Sequence, residues 1–285
     1  MLAYTEYSTG LVVCQECQRN APRCTHCQQP ARALTPVDQD RLCKQCLAAL
    51  PRCAACGKPI TGHYYRFSDS SKPYCAPCAE QRPACHICGA PLGPDGQQLP
   101  GGQYRCGDCA RTMVLDNQMV QALYHMVIQQ ANAIFDRAIR DIPALRIVDP
   151  AELAVVRRRH GSLTPTIGLT RLHILGFFEQ QGQARTIYIE RGLPRATLIG
   201  TLAHEFAHAW QADYAPPGQD MLWREGFAEW LAHRVLVAQG YVREAARATR
   251  REDEYGRGLR YFIALEQRSG RQGVFAEAIS TARTS

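Results

Sequence analysis

The sequence predicts an α+β protein in which an N-terminal array of small four-cysteine modules precedes a mostly helical domain with a small sheet. All 14 cysteines lie within the first 110 residues of the 285-residue chain. From about residue 114 onwards, apolar residues instead recur at spacings of three and four, which is typical of amphipathic helices. A chain of this length suits about two domains. We therefore place tandem zinc-binding modules at 1–110 and a second domain at 111–285.

The cysteines are arranged in pairs. Two thiolates held three residues apart form a knuckle, and two knuckles complete a tetrahedral zinc site. Fourteen cysteines in a chain without a visible signal peptide indicate metal binding more than disulfides. Every cysteine belongs to one of seven C-x-x-C pairs, which begin at Cys14, Cys24, Cys43, Cys53, Cys75, Cys85 and Cys106.

The gaps between the pairs alternate between six residues and 15 to 18 residues, so a unit of about thirty residues repeats. Each unit opens with C-x-x-C-[QG]-x-P and closes with a second pair. An interleaved pairing of the knuckles is the alternative. His26, His63 and His86 are possible substitute ligands, although we expect them at the surface. The proposed sites are Cys24/Cys27/Cys43/Cys46, Cys53/Cys56/Cys75/Cys78 and Cys85/Cys88/Cys106/Cys109.

One pair, Cys14 and Cys17, has no partner in this scheme. It resembles the closing half of a unit whose opening half would precede Met1.

Charge and hydropathy narrow the classes of partner. The formal net charge is +7, but twelve thiolates binding three zinc ions would lower it to about +1, and a fourth zinc would bring it to about +3. Nucleic acid is therefore an unlikely partner, and protein contacts are the expected role of the modules. No apolar run approaches the roughly 20 residues that span a bilayer. We expect a cytoplasmic protein with no membrane partner.

The second domain is centred on an H-E-x-x-H pattern formed by His204, Glu205 and His208. On a helix, residues four apart share a face, so both imidazoles can bind one metal ion while Glu205 takes a proton from a metal-bound water. Pro194 and the Pro-Pro-Gly at 216–218 mark the ends of this helix. The alternative is a buried helix whose histidines merely find hydrogen-bond partners in the core.

A zinc ion needs a third protein ligand. The next predicted helix, from about 220 to 239, carries Glu225, and a chain reversal at 214–219 would bring it antiparallel to the first helix, opposite the histidines. Glu229 lies on the same face and could hydrogen-bond a ligand histidine.

Other elements can be predicted from periodicity and composition. Residues 114–140 form an amphipathic helix in this prediction, and 150–160 a short one. The strand at 185–190 is expected to lie along the cleft, where it could pair with an extended substrate. Two further strands are predicted at 145–148 and 166–172.

Four segments of the second domain resemble a known family, the plant ubiquitin-activated LIM peptidases that limit organ growth. The resemblance runs from about residue 85 to about 262, and we expect a prokaryotic relative. It does not carry over activation by ubiquitin, because six residues separate the zinc sites where a LIM domain has two, and no ubiquitin-interacting helix is found. The segments are LPR at 193–195, AHEFAHAW at 203–210, EGFAEWLAHR at 225–234 and YGRGLR at 255–260.

The resemblance implies a gluzincin-type zinc peptidase with LIM-like modules, in which His204, His208 and Glu225 bind zinc and Glu205 is the general base. A zinc peptidase also needs a donor for the developing oxyanion. Tyr255 and His233 are the candidates, and ordinary packing is the alternative for both.

The expected cofactors are one catalytic and about three structural zinc ions. We expect a zinc-dependent endopeptidase that cleaves protein substrates and whose modules recruit substrate or regulate access. The alternative is a non-enzymatic adaptor that keeps an inactive zincin fold.

Overall fold

The computed structural model of the protein describes residues 4–67, 72–99, 102–159 and 175–280. The chain divides into two compact units. The first comprises Met1–Pro83 and Ala90–Pro94, and the second comprises Ala84–Gly89 and Asp95–Ser285. The cysteines of the third proposed site therefore belong to the second unit, although the sequence boundary was drawn near residue 110.

The first unit is built from β-hairpins, each followed by a short helix. Its elements are β1 (Tyr4–Glu6), β2 (Val12–Cys14), α1 (Gln15–Asn20), β3 (Thr35–Val37), β4 (Asp40–Leu42), α2 (Lys44–Ala49), β5 (Tyr64–Tyr65), β6 (Tyr74–Cys75) and α3 (Ala76–Gln81). The hairpins pair antiparallel. The first cysteine of each closing pair occupies the N-cap position of the helix that follows. In α2 the Cys43 sulfur accepts a hydrogen bond from the Cys46 N–H.

The backbone conformation of the residue that follows each opening C-x-x-C explains why Gln or Gly occurs at this position of the repeat. Gln28, Gly57 and Gly89 all have positive φ, at 59°, 74° and 74°. Their N–H groups reach back to the carbonyl of the first cysteine of the pair. Only a residue that tolerates the left-handed region can close this turn, and glycine does so without strain.

In the described residues, the second unit contains a fourth hairpin and short helix, a small sheet and six longer helices. The three-stranded sheet has the order β10-β11-β9, in which β11 is antiparallel to β10 and parallel to β9. The last helix is kinked at Gly270. The elements are β7 (Gln97–Gln98), β8 (Tyr104–Arg105), α4 (Gly107–Arg111), α5 (Asn117–Ile134), β9 (Ala144–Val148), α6 (Pro150–Arg159), β10 (Gly176–Gln181), β11 (Ala184–Glu190), α7 (Arg195–Tyr214), α8 (Met221–Ala238), α9 (Val242–Thr249) and α10 (Glu254–Ala278).

The core of the second unit lies between α5, α7, α8 and α10. Trp210 on α7 packs against Phe227 on α8 with ring centroids 5.0 Å apart, and both contact Phe275 on α10. The Trp230 indole N–H donates to Glu266 at 2.9 Å, so this polar group is satisfied in the interior. Large aromatic rings at the helix crossings fix how α7 and α8 face each other.

The helix that carries the H-E-x-x-H pattern runs antiparallel to the helix that follows it. Residue 204 of α7 faces residue 229 of α8, whereas residue 211, seven positions further along α7, faces residue 224. The Asp220 carboxylate caps α8 by accepting from the Leu222 N–H at 2.8 Å. The chain reversal expected at 214–219 is therefore present.

The predicted mixture of helices and small sheets is confirmed, with differences in detail. The helix expected at 114–140 ends at Ile134. The sequence did not predict β10, and the strand expected at 166–172 lies outside the described residues. The prediction that the strand at 185–190 could pair with substrate is wrong, because β11 is the central strand and has a partner on each side. No helix in the described ranges is both long and apolar enough to cross a membrane.

Candidate metal centres

Three clusters of four cysteines and one mixed cluster bring together side chains that can bind metal. Each cysteine cluster combines an opening pair with the closing pair that follows it, so the structure has the consecutive pairing rather than the interleaved one. The clusters are Cys24/Cys27/Cys43/Cys46, Cys53/Cys56/Cys75/Cys78, Cys85/Cys88/Cys106/Cys109 and His204/His208/Glu225, with the ligand atoms of each cluster within 4.8 Å of one another.

The sulfur spacings fit a tetrahedral metal rather than disulfides. Sγ–Sγ distances are 4.0 Å for Cys27–Cys43, 3.9 Å for Cys56–Cys75 and 3.7 Å for Cys88–Cys106. Zn–S bonds of about 2.3 Å in tetrahedral geometry place sulfurs about 3.8 Å apart, whereas a disulfide bond is about 2.05 Å long. These sites can therefore bind structural metal ions, with zinc as the fitting ion.

Backbone N–H groups stabilise the thiolates in these clusters. The Cys43 N–H donates to the Cys24 sulfur at 3.3 Å, and the Cys75 N–H donates to the Cys53 sulfur at 3.4 Å. Burial raises the pKa of Cys24, but the N–H groups of Cys27 and Cys43 outweigh it and lower the pKa to about 6. Metal ligation requires the thiolate, so this environment favours binding.

The mixed cluster has three ligand atoms in contact. His204 Nε2 lies 3.1 Å from His208 Nε2 and 3.1 Å from Glu225 Oε2, and His208 Nε2 lies 3.4 Å from the same oxygen. A tetrahedral zinc ion with bonds of about 2.05 Å places its ligand atoms about 3.3 Å apart. The three atoms therefore have about the spacing of one face of such a tetrahedron.

The negative charges around this cluster favour the binding of a cation. Burial lowers the pKa of His204, but the hydrogen bond to Glu225 and the charges of Glu229 and Glu205 outweigh it and raise the pKa to about 9. Burial also raises the pKa of Glu225, yet the neighbouring charge of His208 and the hydrogen bond from His204 lower it well below its usual range. Three carboxylates thus surround two imidazoles, and a divalent ion would balance them.

The outer nitrogens of both histidines face partners on the protein. Gln211 Oε1 lies 2.7 Å from His208 Nδ1, and Gln211 Nε2 donates to the Arg224 carbonyl at 2.9 Å, which ties α7 to α8. Glu229 Oε1 lies 3.6 Å from His204 Nδ1, the position expected from the sequence. Such contacts fix the tautomer, so that Nε2 of each ring is left for the metal. The sequence did not suggest Gln211, although its spacing of three from His208 places it on the same helix face.

Two arginines hold the carboxylates. Arg224 donates to Glu225 Oε1 at 2.8 and 3.1 Å, which leaves Oε2 facing the histidines. Arg251 donates to Glu229 Oε1 at 3.2 Å. The sequence reasoning missed both residues, because neither has a recognisable spacing relative to the histidines.

Glu205 lies beside this centre and is only 6% exposed. Burial raises its pKa, while the charges of His204 and His208 oppose the rise. The first residue of β10, Gly176, packs so closely that a Cβ there would lie 2.9 Å from Glu205 Cγ. Sequence reasoning did not identify Arg157 on α6, whose charge interacts with both Tyr255 and Glu205.

The two candidate oxyanion donors differ in position. The Tyr255 ring stacks on the His204 ring, with centroids 6.2 Å apart and an angle of 28° between the planes. The Arg251 guanidinium lies 4.7 Å from the Tyr255 ring centroid. By contrast, His233 has a buried Nδ1 without a hydrogen-bond partner among the described residues, and burial lowers its pKa. Tyr255 therefore adjoins the ligands, whereas His233 shows no such contact in the described ranges.

The remaining cysteines and histidines of the N-terminal region take different positions. Cys14 and Cys17 belong to none of the four clusters found among the described residues. His26 and His63 are exposed. The prediction that His86 lies at the surface is wrong, because it is 5% exposed and contacts Glu190.

Comparison with protein-family models, with curated proteins and with solved structures finds no match to this chain. The function must therefore be inferred from the chemistry of these centres.

Proposed function

We propose that the protein is a zinc-dependent endopeptidase of the gluzincin type that acts on protein substrates. One observation supports this above the others. The Nε2 atoms of His204 and His208 and the Oε2 atom of Glu225 are spaced as three corners of a tetrahedron, with a buried carboxylate next to them. Three protein ligands with one open position are typical of catalytic zinc sites, whereas structural sites are closed by four.

The bound ion would act as a Lewis acid toward the scissile carbonyl and would lower the pKa of a water molecule. Glu205 would be the general base that accepts a proton from the attacking water and passes it to the leaving amine. Its buried position keeps its proton affinity above that of an exposed glutamate. Tyr255 is the proposed hydrogen-bond donor to the developing oxyanion.

Substrate binding is assigned to β10. This strand is at the edge of the sheet and passes directly beside Glu205. An extended peptide can pair with an exposed strand edge through its main chain, which selects for unfolded segments rather than for a particular sequence. This assignment favours cleavage within accessible, extended segments of proteins.

The decisive variant is Glu205→Gln. It keeps the size of the side chain and all three metal ligands, so we expect four bound metal ions and an unchanged fold. Cleavage of casein should fall by about 10²- to 10⁴-fold, the usual contribution of a general base. Glu277→Gln is the matched control, since this half-buried carboxylate accepts from Trp223 and Tyr261 away from the centre.

Native mass spectrometry and casein cleavage, with and without a chelator, separate the outcomes. If Glu205→Gln cleaves at the wild-type rate, the proposed mechanism fails. If the wild type binds the fourth metal but cleaves nothing, the protein is a zinc-module adaptor with an inactive zincin fold. Salt-dependent retention on nucleic acid would indicate a different class altogether.

The modules of the first unit are proposed to recruit protein substrates. Replacing Cys53 and Cys56 by serine removes two ligands of the second cluster and should unfold that module. We expect slower cleavage of folded protein substrates and an unchanged rate on a short peptide that only the cleft can bind. Equal rates on both substrates would exclude recruitment by this module.

A further inference from the structure

A buried ion pair joins the third four-cysteine cluster to the sheet of the second unit. His86 lies between the ligands Cys85 and Cys88, and its Nε2 is 2.7 Å from Glu190 Oε1. The two side chains are 1% and 2% exposed. The other ring nitrogen lies 2.9 Å from the Tyr104 carbonyl. Both ring nitrogens therefore lie within hydrogen-bond distance of an oxygen, so the ring is held between the Tyr104 carbonyl and the Glu190 carboxylate.

Glu190 occupies a position from which it can orient α7. It is the last residue of β11, and α7 begins five residues later at Arg195. The Arg105 guanidinium, on the hairpin of the same cluster, lies 3.6 Å from Glu190 Oε1 and forms a buried ion pair with it. The chain between the sheet and α7 is thus held at its beginning by two groups from the cysteine cluster.

The same short connection is also held at its other end. The Val114 N–H donates to the Leu193 carbonyl at 2.9 Å, and the Arg195 N–H donates to the Thr112 carbonyl at 3.3 Å. Residues 112–114 directly follow α4, whose Cys109 is a ligand of the third cluster. Both the opening and the closing half of this cluster therefore contact the segment from which the H-E-x-x-H helix starts.

We propose that the third four-cysteine site is a positioning element for the His204–His208–Glu225 centre, with His86 and Glu190 as its positioning residues. Zinc bound by the four cysteines fixes the backbone around His86, and His86 in turn fixes the end of β11 and the start of α7. The first two clusters belong to the other compact unit. This inference rests on the proposed metal centre, and the experiment separates the two.

The test uses the full chain and compares His86→Leu with Glu190→Gln and with a control, His26→Leu. His26 also lies between two cysteine ligands but is exposed. Cobalt substitution distinguishes the two kinds of site, because only thiolate ligands give strong charge-transfer bands. Competition with a chelator then measures the affinity of the His204–His208–Glu225 centre.

We expect His86→Leu to keep the thiolate charge-transfer bands. Its His204–His208–Glu225 centre should bind metal about tenfold more weakly, which is the usual effect of losing a group that orients the ligands. Glu190→Gln should shift the affinity in the same direction, and His26→Leu should match the wild type. Wild-type affinity in both His86→Leu and Glu190→Gln would overturn the proposal, as would an equal loss in His26→Leu. If His86→Leu does not fold, the metal affinity of Glu190→Gln alone tests the proposal, because this variant keeps every metal ligand and the shape of the side chain.

A wild-type protein that binds three metal ions but not a fourth would refute the proposed function. The positioning role is then measured by hydrogen exchange of the α7 amides. Faster exchange in Glu190→Gln supports the positioning role, and unchanged exchange excludes it.

Discussion

The crossing of α8 and α10 allows a quantitative prediction for Gly226→Ala. Gly226 follows the proposed ligand Glu225 and faces Gly258, which lies one turn after Tyr255. A Cβ added at Gly226 would lie 2.6 Å from the Gly258 Cα and 2.7 Å from its carbonyl carbon. Because these are backbone atoms, the clash can be relieved only if the two helices move apart.

Two effects of opposite sign set the magnitude. Replacing glycine by alanine within a helix stabilises it by about 1 kcal/mol, whereas overpacking a close contact costs about 1–3 kcal/mol. Because backbone atoms meet on both sides, we take the upper end of the overpacking cost, about 3 kcal/mol. Subtracting the helix-propensity gain leaves a net decrease of about 2 kcal/mol in the free energy of unfolding. For a unit of this size, the melting midpoint should fall by about 4–8 °C. The displaced Glu225 should also weaken metal binding at the histidine centre.

Gly200→Ala on α7 is the matched control. Its Cβ would lie 3.3 Å from Leu236 Cδ1, the end of a side chain that can rotate away. The propensity gain and the mild contact nearly cancel, so its stability should stay within about 1 kcal/mol of wild type. Thermal melts of the metal-saturated proteins compare the variants. A Gly226→Ala midpoint at or above that of wild type, or equal shifts in both variants, would refute this account of the crossing.

Two further variants test the surroundings of the site. Gln211→Ala removes the partner of His208 Nδ1 and should lower metal affinity about 10- to 100-fold in chelator competition. Gln272→Ala, at an exposed position, is the control. Equal metal affinities in the two variants would contradict the role of Gln211. Asp213→Asn breaks the buried pair with Arg185 and should cost about 3 kcal/mol at pH 7 in urea unfolding. Burial raises the pKa of Asp213, but the hydrogen bond from Arg185 outweighs it and lowers the pKa. The stabilisation is therefore complete above the ordinary pKa of about 4 and is lost as pH falls through the lowered value, so the two urea midpoints should converge in acid. A constant difference would contradict the linkage.

Local patterns predicted a large part of the fold. The alternating gaps between C-x-x-C pairs were sufficient to group the cysteines, because each cluster closes within about 25 residues. The spacing of apolar residues in α5 likewise predicted a helix, because α5 buries one apolar face. The strand β10 was missed because its short sequence GFFEQQ has no regular alternation and follows a segment without a clear pattern.

Features that depend on distant contacts could not be read from the chain. His86 and Glu190 are 104 residues apart, and nothing in either neighbourhood indicates the pair. His86 was expected at the surface because four cysteines were already available as ligands, so no partner for the imidazole was evident from the sequence. Gln211 was overlooked for a different reason, because an amide on an apolar helix is indistinguishable from a tolerated polar residue until its partner is known.

The short span of each cysteine cluster has a consequence for synthesis on the ribosome. Closing a loop of about 20 residues costs little chain entropy, so the first two modules can take up metal soon after they emerge. The third module can also bind its metal early, yet His86 must wait for some hundred further residues before Glu190 exists. During that interval the imidazole has no Glu190 carboxylate to contact, which makes the junction with β11 one of the last parts of the molecule to form.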